Sequence, residues 1–256
     1  MATQPILEMT AVEIAEASHS GRGAVRAVDW SVETGECWVV AGVQGSGVSA
    51  FLETAAGLRP VVAGALQLFG RPVAELRGDA VSDIRTRVGF LFSGSGRLFG
   101  SLTAIENVTL PLRYHQGMSM EAAVEEVRPL LEWLELQAVV GAMPSRLGRG
   151  MRLRVALARA LALRPELVVL DDPVAGLDSG QIRWWRSIVT SLIAGSPWLH
   201  RKPATVIVGT EMLRPFLSIG HRFALIHRGA FQLLGDSGGV MALTEDPVRE
   251  VLGDAF

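Results

Sequence analysis

Gly42-Val43-Gln44-Gly45-Ser46-Gly47-Val48-Ser49 follows a short apolar run, 37–41, and precedes a helix-like stretch, 49–56. Its spacing is that of G-x-x-x-x-G-K-[ST], a loop whose backbone N–H groups and following helix N-terminus hold phosphate. In that pattern the lysine ammonium reaches the β- and γ-oxygens and stabilises the charge that moves during transfer. Position 48 is valine, which supplies no charge. Lys202 is the only lysine in the chain, so drift in composition is one explanation. Drift away from lysine ordinarily gives arginine, which is plentiful here, and the reading adopted is a loss of hydrolytic function.

Outward from the loop, short apolar or β-rich runs recur at 65–69, 88–92, 167–170, 205–208 and 223–227, with helix-like segments between several of them. That alternation predicts an α/β fold with a largely parallel, buried sheet. The stretch 119–138 is acidic, and Val124, Val127, Leu130, Leu131 and Leu134 fall on one helical face, which reads as part of a helical subdomain. Gln181 onward is also helical in period, and Trp184 and Trp185 read as packing residues. The Gly, Ser and Pro content of 195–203 marks a loop. A second element makes the first specific: Leu167-Val168-Val169-Leu170-Asp171-Asp172-Pro173 is an apolar strand ending in acids, placed to bring a carboxylate beside magnesium.

Composition excludes several classes. A formal charge of −2 and a pI near 6.2 leave no basic footprint for nucleic acid. The lone cysteine, Cys37, allows no intrachain disulfide and reads as a core residue. Residues 1–10 lack a secretory pattern. No apolar run reaches the roughly 18–20 residues of a spanning helix, since 155–170 is interrupted by Arg159, Arg164, Pro165 and Glu166. The expectation is a cytoplasmic protein that meets a membrane through a partner.

The chain resembles the nucleotide-binding subunit of ABC transporters over nearly its whole length. The 42–49 loop is similar to Walker A, Leu147-Gly148-Arg149-Gly150-Met151 holds the place of the LSGGQ signature, and 154–161 matches the helix after it. The strand 167–172 is similar to Walker B, and Ala175-Gly176-Leu177-Asp178 to the D-loop. The resemblance implies a P-loop NTPase-like core, an antiparallel β subdomain, and a helical subdomain at about 94–163, together forming one domain over 1–256. It implies nucleotide contacts from Gly42, Gly45, Ser46, Gly47, Ser49, Ala50, Gly148, Arg149, Gly150 and Asp178, and magnesium contacts from Ser49 and Asp171. The catalytic positions depart from the pattern: Val48 for the lysine, Asp172 for the glutamate after the Walker B aspartate, Ser93 for the Q-loop glutamine, and Glu211 for the switch histidine. In the signature, serine has become Gly148, the next glycine Arg149, and glutamine Met151.

A cation lost from beside a phosphate forfeits on the order of 4 kcal/mol at about 4 Å and an effective dielectric of about 20, and Glu211 adds repulsion of similar scale. Asp172 is one methylene shorter than glutamate, and displacing a catalytic group by about 1 Å costs roughly 100-fold. The expectation is a site that does not hydrolyse ATP usefully, with Mg²⁺ and ATP held weakly through backbone donors or not at all. Arg149 is the candidate for a replacement anion contact.

The stretch from Leu91 to Phe99, with Ile105-Glu106-Asn107-Val108 and Pro111-Leu112-Arg113, is most similar to the ATPases paired with MCE (mammalian-cell-entry) proteins in phospholipid transport, which carry LFQSGALF, one residue shorter before its second Leu-Phe pair, and then DNV…PLRE at the corresponding place. The tail Asp246-Pro247-Val248-Arg249-Glu250-Val251-Leu252-Gly253 is similar to their DPRVRQFLDG ending. The implied partners are a permease, an intact ATPase subunit in a heterodimer, and an MCE protein through the complex. Two alternatives stand beside this subunit role: a slow but active ATPase, and a soluble regulatory scaffold.

Overall fold

The apolar run Cys37–Ala41 is a strand with every residue buried. Its period of two divides it between two cores: Cys37, Val39 and Ala41 enter one, Trp38 and Val40 the other. A strand apolar on both faces belongs inside a parallel sheet covered on both sides. In the computed structural model, which describes residues 5–15 and 25–253, this strand has that place. The stretch 1–10 discussed above is therefore described only from Pro5, and 254–256 lie outside the described residues.

The described elements run β1(Leu7–Ile14), β2(Val25–Val32), β3(Cys37–Ala41), α1(Val48–Ala55), β4(Ala63–Leu68), β5(Arg71–Pro72), α2(Asp79–Thr86), β6(Val88–Leu91), α3(Ala104–Gln116), α4(Met120–Trp133), α5(Arg149–Leu161), β7(Leu167–Asp171), α6(Ser179–Ala194), β8(Thr205–Thr210), β9(Arg222–His227), β10(Ala230–Gly235), α7(Ser237–Ala242) and α8(Asp246–Leu252). They build one sheet in the order β5-β4-β1-β2-β10-β9-β3-β8-β7-β6. From β9 to β6 neighbouring strands are parallel, with Val39 level with Val208 and Leu170 level with both Leu91 and Val208. At the other end β5, β4, β1 and β2 pair antiparallel, and the two parts join where Ala230 pairs with Arg26.

One core holds α1 under Trp30, with Phe51 5.1 Å from the Trp30 ring and stacked on Phe231. The other is larger and packs α3, α4, α5 and α6 against the opposite face. The helices α3 to α5 all fall between β6 and β7, where the helical segment was expected.

Two expectations need adjusting. The helix expected over 119–138 stops at Trp133, because Glu135 takes φ +58 so that Leu134 and Leu136 can both be buried, and Glu135 then accepts from Arg154 at 2.6 Å. The expected loop 195–203 contains a 3-10 turn, Pro197–Leu199, pinned by Trp198 Nε1 donating to the Leu161 carbonyl at 2.7 Å. Trp185 is fully buried, and the Arg154 guanidinium lies 3.9 Å over Trp184, so both indoles are packing groups. Burial pushes the Cys37 thiol up to about 12, which leaves it unreactive.

Candidate functional site

Because β3, β6, β7 and β8 are parallel, their C-terminal ends share one edge of the sheet, the place where α/β folds bind ligands. β3 leads into the 42–49 loop, β7 ends at Asp171, β8 leads to Glu211, and β6 leads to Ser93. Backbone bonds stitch the edge together: the Gly42 amide donates to the Thr210 carbonyl at 3.1 Å, and the Asp172 amide to the Gly209 carbonyl at 3.0 Å. These segments and Arg149 surround a cavity of about 630 Å³.

At its floor Ser49 Oγ donates to Asp171 Oδ1 at 3.1 Å. Burial raises the Asp171 carboxyl above its ordinary range, against hydrogen bonds from Ser49 and Ser93 that favour its ionised form. Burial raises Asp172 further, to about 6, helped by the Glu211 and Asp171 charges and opposed by Arg149. Asp172 also sits at φ +51, a left-handed conformation that Asp and Asn adopt more readily than most residues. Three carboxylates thus line the cavity with Arg149 as the cationic side chain facing them.

A magnesium ion suits this floor. A hydroxyl and a carboxylate already within hydrogen-bond distance form a hard oxygen pair, and the raised Asp171 marks a buried carboxylate short of positive charge. Phosphate suits the loop in part. Gly47 caps α1 without a side-chain bond, leaving the first-turn amides for a ligand. Ser46 Oγ, on a residue only 8% exposed, is buried with no hydrogen-bond partner and lines the same cavity.

The side-chain cation of the pattern is absent, because position 48 carries a valine whose methyl groups sit at the strand ends. A Cβ placed on Gly42 would lie 2.8 Å from one Val48 methyl, and a Cβ on Gly209 2.9 Å from the other. The cavity would therefore hold a Mg²⁺-bound phosphate by backbone amides, Ser46, Ser49 and Asp171, and would supply no lysine to it.

Of the residues singled out from sequence, 42, 45–50, 93, 149, 171, 172 and 211 converge on this cavity. Gly148, Gly150 and Asp178 do not line it. Gly148 is the N-cap of α5, Gly150 lies under Gln181, and Asp178 caps α6 by accepting from the Gln181 amide at 2.8 Å. Gly94 and Thr210 line the cavity without having been named as site residues, as does Ala175 of the D-loop segment; each ends a β-strand or adjoins a motif, which is the signal that finds them.

The family model described as ABC transporter matches residues 25–175. The chain belongs to the ABC transporter family. It is 26% identical over 236 residues to the methionine import ATP-binding protein MetN of Clostridium acetobutylicum, covering 92% of this chain and 71% of that one. It is 28% identical over 228 residues to the probable ribonucleotide transport ATP-binding protein mkl of Mycobacterium leprae, covering 88% of this chain and 63% of that one. Its structure superposes on the ATP-binding cassette MJ0796, in a dimeric post-hydrolysis state bound to ADP and Pi, with a TM-score of 0.76 and 26% identity over 88% of this chain and 95% of that one. ABC proteins of this fold bind ATP and Mg²⁺ as a class, and the cavity above occupies the strand edge where this chain's cassette motifs meet. Among the described residues no helix is long and apolar enough to cross a membrane.

Proposed function

We propose that this chain is a non-hydrolysing ABC subunit that holds Mg²⁺-nucleotide weakly and serves as a coupling partner between a membrane permease and an intact ATPase subunit. The observation that carries the reading is the side-chain set at the cavity. Where phosphoryl transfer to water needs a lysine, a polarising glutamate and a histidine, the cavity has Val48 folded against Gly42 and Gly209, a shortened Asp172, and Glu211 facing it. The whole sequence 1–256 is read as one nucleotide-binding domain, with 94–163 as its helical insertion. The heterodimer follows from the same deficit, since a pair of such chains would have no competent site. A slow ATPase is the second reading, favoured by the intact Ser49–Asp171 pair.

A second surface supports the permease role. Phe90, Phe92, Phe99, Pro111 and Tyr114 line a groove of about 610 Å³ between the sheet edge and α3, with Tyr114 80% and Phe99 53% exposed. Asn107, buried in α3, fixes one wall by accepting from the Phe99 amide and donating to the carbonyls of Phe99, Leu102 and Thr103. An exposed aromatic groove with a rigid wall suits a short helix from the permease. The named cargoes of the relatives, methionine and ribonucleotide, differ from one another and do not fix this one. A phospholipid cargo with an MCE protein in the complex rests on the 91–113 and 246–253 resemblances, and places the chain on the cytoplasmic membrane face. The experiment is co-purification with membrane proteins, followed by Mg²⁺-ATP hydrolysis of the complex and of the isolated chain. Turnover confined to the complex supports the reading, and turnover by the isolated chain refutes it.

A further inference from the structure

Arg149 belongs to the signature segment by sequence, yet its side chain turns back toward the cavity of its own chain. From the first position of α5, Arg149 Nε donates to the Ala175 carbonyl at 2.9 Å. The side chain is half-buried beside the loop around Gly176, which has φ +65. Among the described residues Arg149 makes no other hydrogen bond, so both terminal guanidinium nitrogens are free to donate to a ligand. The guanidinium lines the cavity together with Ser46, Ser49, Asp171, Asp172 and Glu211, and it is the arginine whose charge reaches Asp172.

We propose that Arg149 acts in cis as the cation of this chain's own cavity, contacting the terminal phosphate of a Mg²⁺-bound nucleoside polyphosphate in place of the side chain missing at position 48. The inference rests on the reading that the cavity takes Mg²⁺-nucleotide, and it goes beyond it by naming the residue that makes such binding possible. Three separate features agree. The loop supplies uncapped amides, Ser46 Oγ is buried without a partner at the same wall, and Arg149, the one cationic side chain lining the cavity among the described residues, is tethered through Nε with its donating end unbonded. A guanidinium held by one nitrogen keeps a planar pair of donors for phosphate oxygens. Two acids opposite, Asp172 and Glu211, set an electrostatic cost for an arriving phosphate that Arg149 offsets.

The test is calorimetric titration of the isolated full chain with Mg²⁺-ATP, comparing wild type, Arg149→Gln, Arg149→Gln with Val48→Lys, and Arg128→Gln as an exposed charge control on α4. Loss of one charge-assisted contact is expected to weaken Arg149→Gln by roughly tenfold to a hundredfold. Val48→Lys is expected to restore most of that loss, because both groups serve one phosphate. Unchanged or tighter binding by Arg149→Gln overturns the proposal, the tighter result making Arg149 an internal plug; failure of Val48→Lys to rescue also overturns it. Should Arg149→Gln not fold, the wild-type isotherm decides. One Mg²⁺-ATP per chain with an affinity independent of chain concentration supports action in cis, and an affinity that rises with concentration places Arg149 on a neighbour's phosphate and overturns it. Absence of binding by wild type overturns this inference while leaving the coupling role intact, whereas hydrolysis by the isolated chain overturns the coupling role and leaves Arg149 in place.

Discussion

Replacing Asp172 with asparagine removes the carboxyl that burial, Glu211 and Asp171 together raise to about 6. In the unfolded chain the same carboxyl titrates near 3.9. Between those values the native state binds the proton more tightly than the unfolded state. The group's contribution to stability is therefore fully present below about pH 4 and lost as pH rises through about 6. A shift of about two units corresponds to roughly 3 kcal/mol, and the partial solvent contact of the side chain screens this to on the order of 1–2 kcal/mol. Asparagine keeps the shape and accepts the φ of +51 that position 172 adopts, so the backbone gives no competing effect. Thermal unfolding followed by circular dichroism, in EDTA so that no divalent ion occupies the floor, reads the difference directly. The gap between Asp172→Asn and wild type should be smallest at pH 4 and widen through pH 6 to about 2–6 °C at pH 8, with the variant more stable. A gap that stays constant with pH, or a variant less stable at pH 8, would refute the account of the acid cluster.

Val48→Lys alone should tighten Mg²⁺-ATP binding by about tenfold or more yet give no turnover, because Asp172 and Glu211 remain; an ATPase assay beside the titration checks both halves. Asn107→Ala should cost on the order of 2–3 kcal/mol in urea unfolding, since it strands the Phe99 amide and removes a donor from the Leu102 carbonyl, while the Phe99 and Thr103 carbonyls keep backbone donors. Phe99→Asp with Tyr114→Asp should change stability by no more than about 0.5 kcal/mol, both side chains being exposed, while abolishing recovery of membrane partners in a pull-down. Retained partners in that double variant would move the docking surface elsewhere.

The parallel part of the sheet was legible because its strands are apolar on both faces and short, and Leu167–Asp171 and Val88–Leu91 lie within a residue or so of where the runs placed them. The antiparallel strands β1, β2 and β10 were harder to read. They mix exposed and buried positions, and bulges between Met9 and Val12 and between Leu233 and Gly235 break the alternation. The end of α4 was illegible for a related reason. Leu134 and Leu136 look like a continuing helical face, and only the left-handed turn at Glu135 shows that both enter the core by another route. At the site, the loop spacing and the acidic end of the 167–170 run pointed to 42–49 and 171, while the resemblance to ABC subunits supplied 93, 149, 172 and 211. What spacing does not encode is the direction of a long side chain. Arg149 reads as part of the signature segment and a candidate anion contact, and its bond to Ala175 is visible only once α5 and the 175–178 loop are side by side. The packing of Val48 against Gly42 and Gly209 is likewise a three-dimensional fact behind a one-letter change.

Steady-state hydrolysis of Mg²⁺-ATP by the purified chain, with Asp171→Asn run in parallel, tests the central claim most directly. The expected result is no turnover above the variant's background, whether or not nucleotide binds. Turnover by the wild-type chain that Asp171→Asn abolishes would contradict the account, and would mean that the Val48, Asp172 and Glu211 cavity performs the chemistry that its charges argue against.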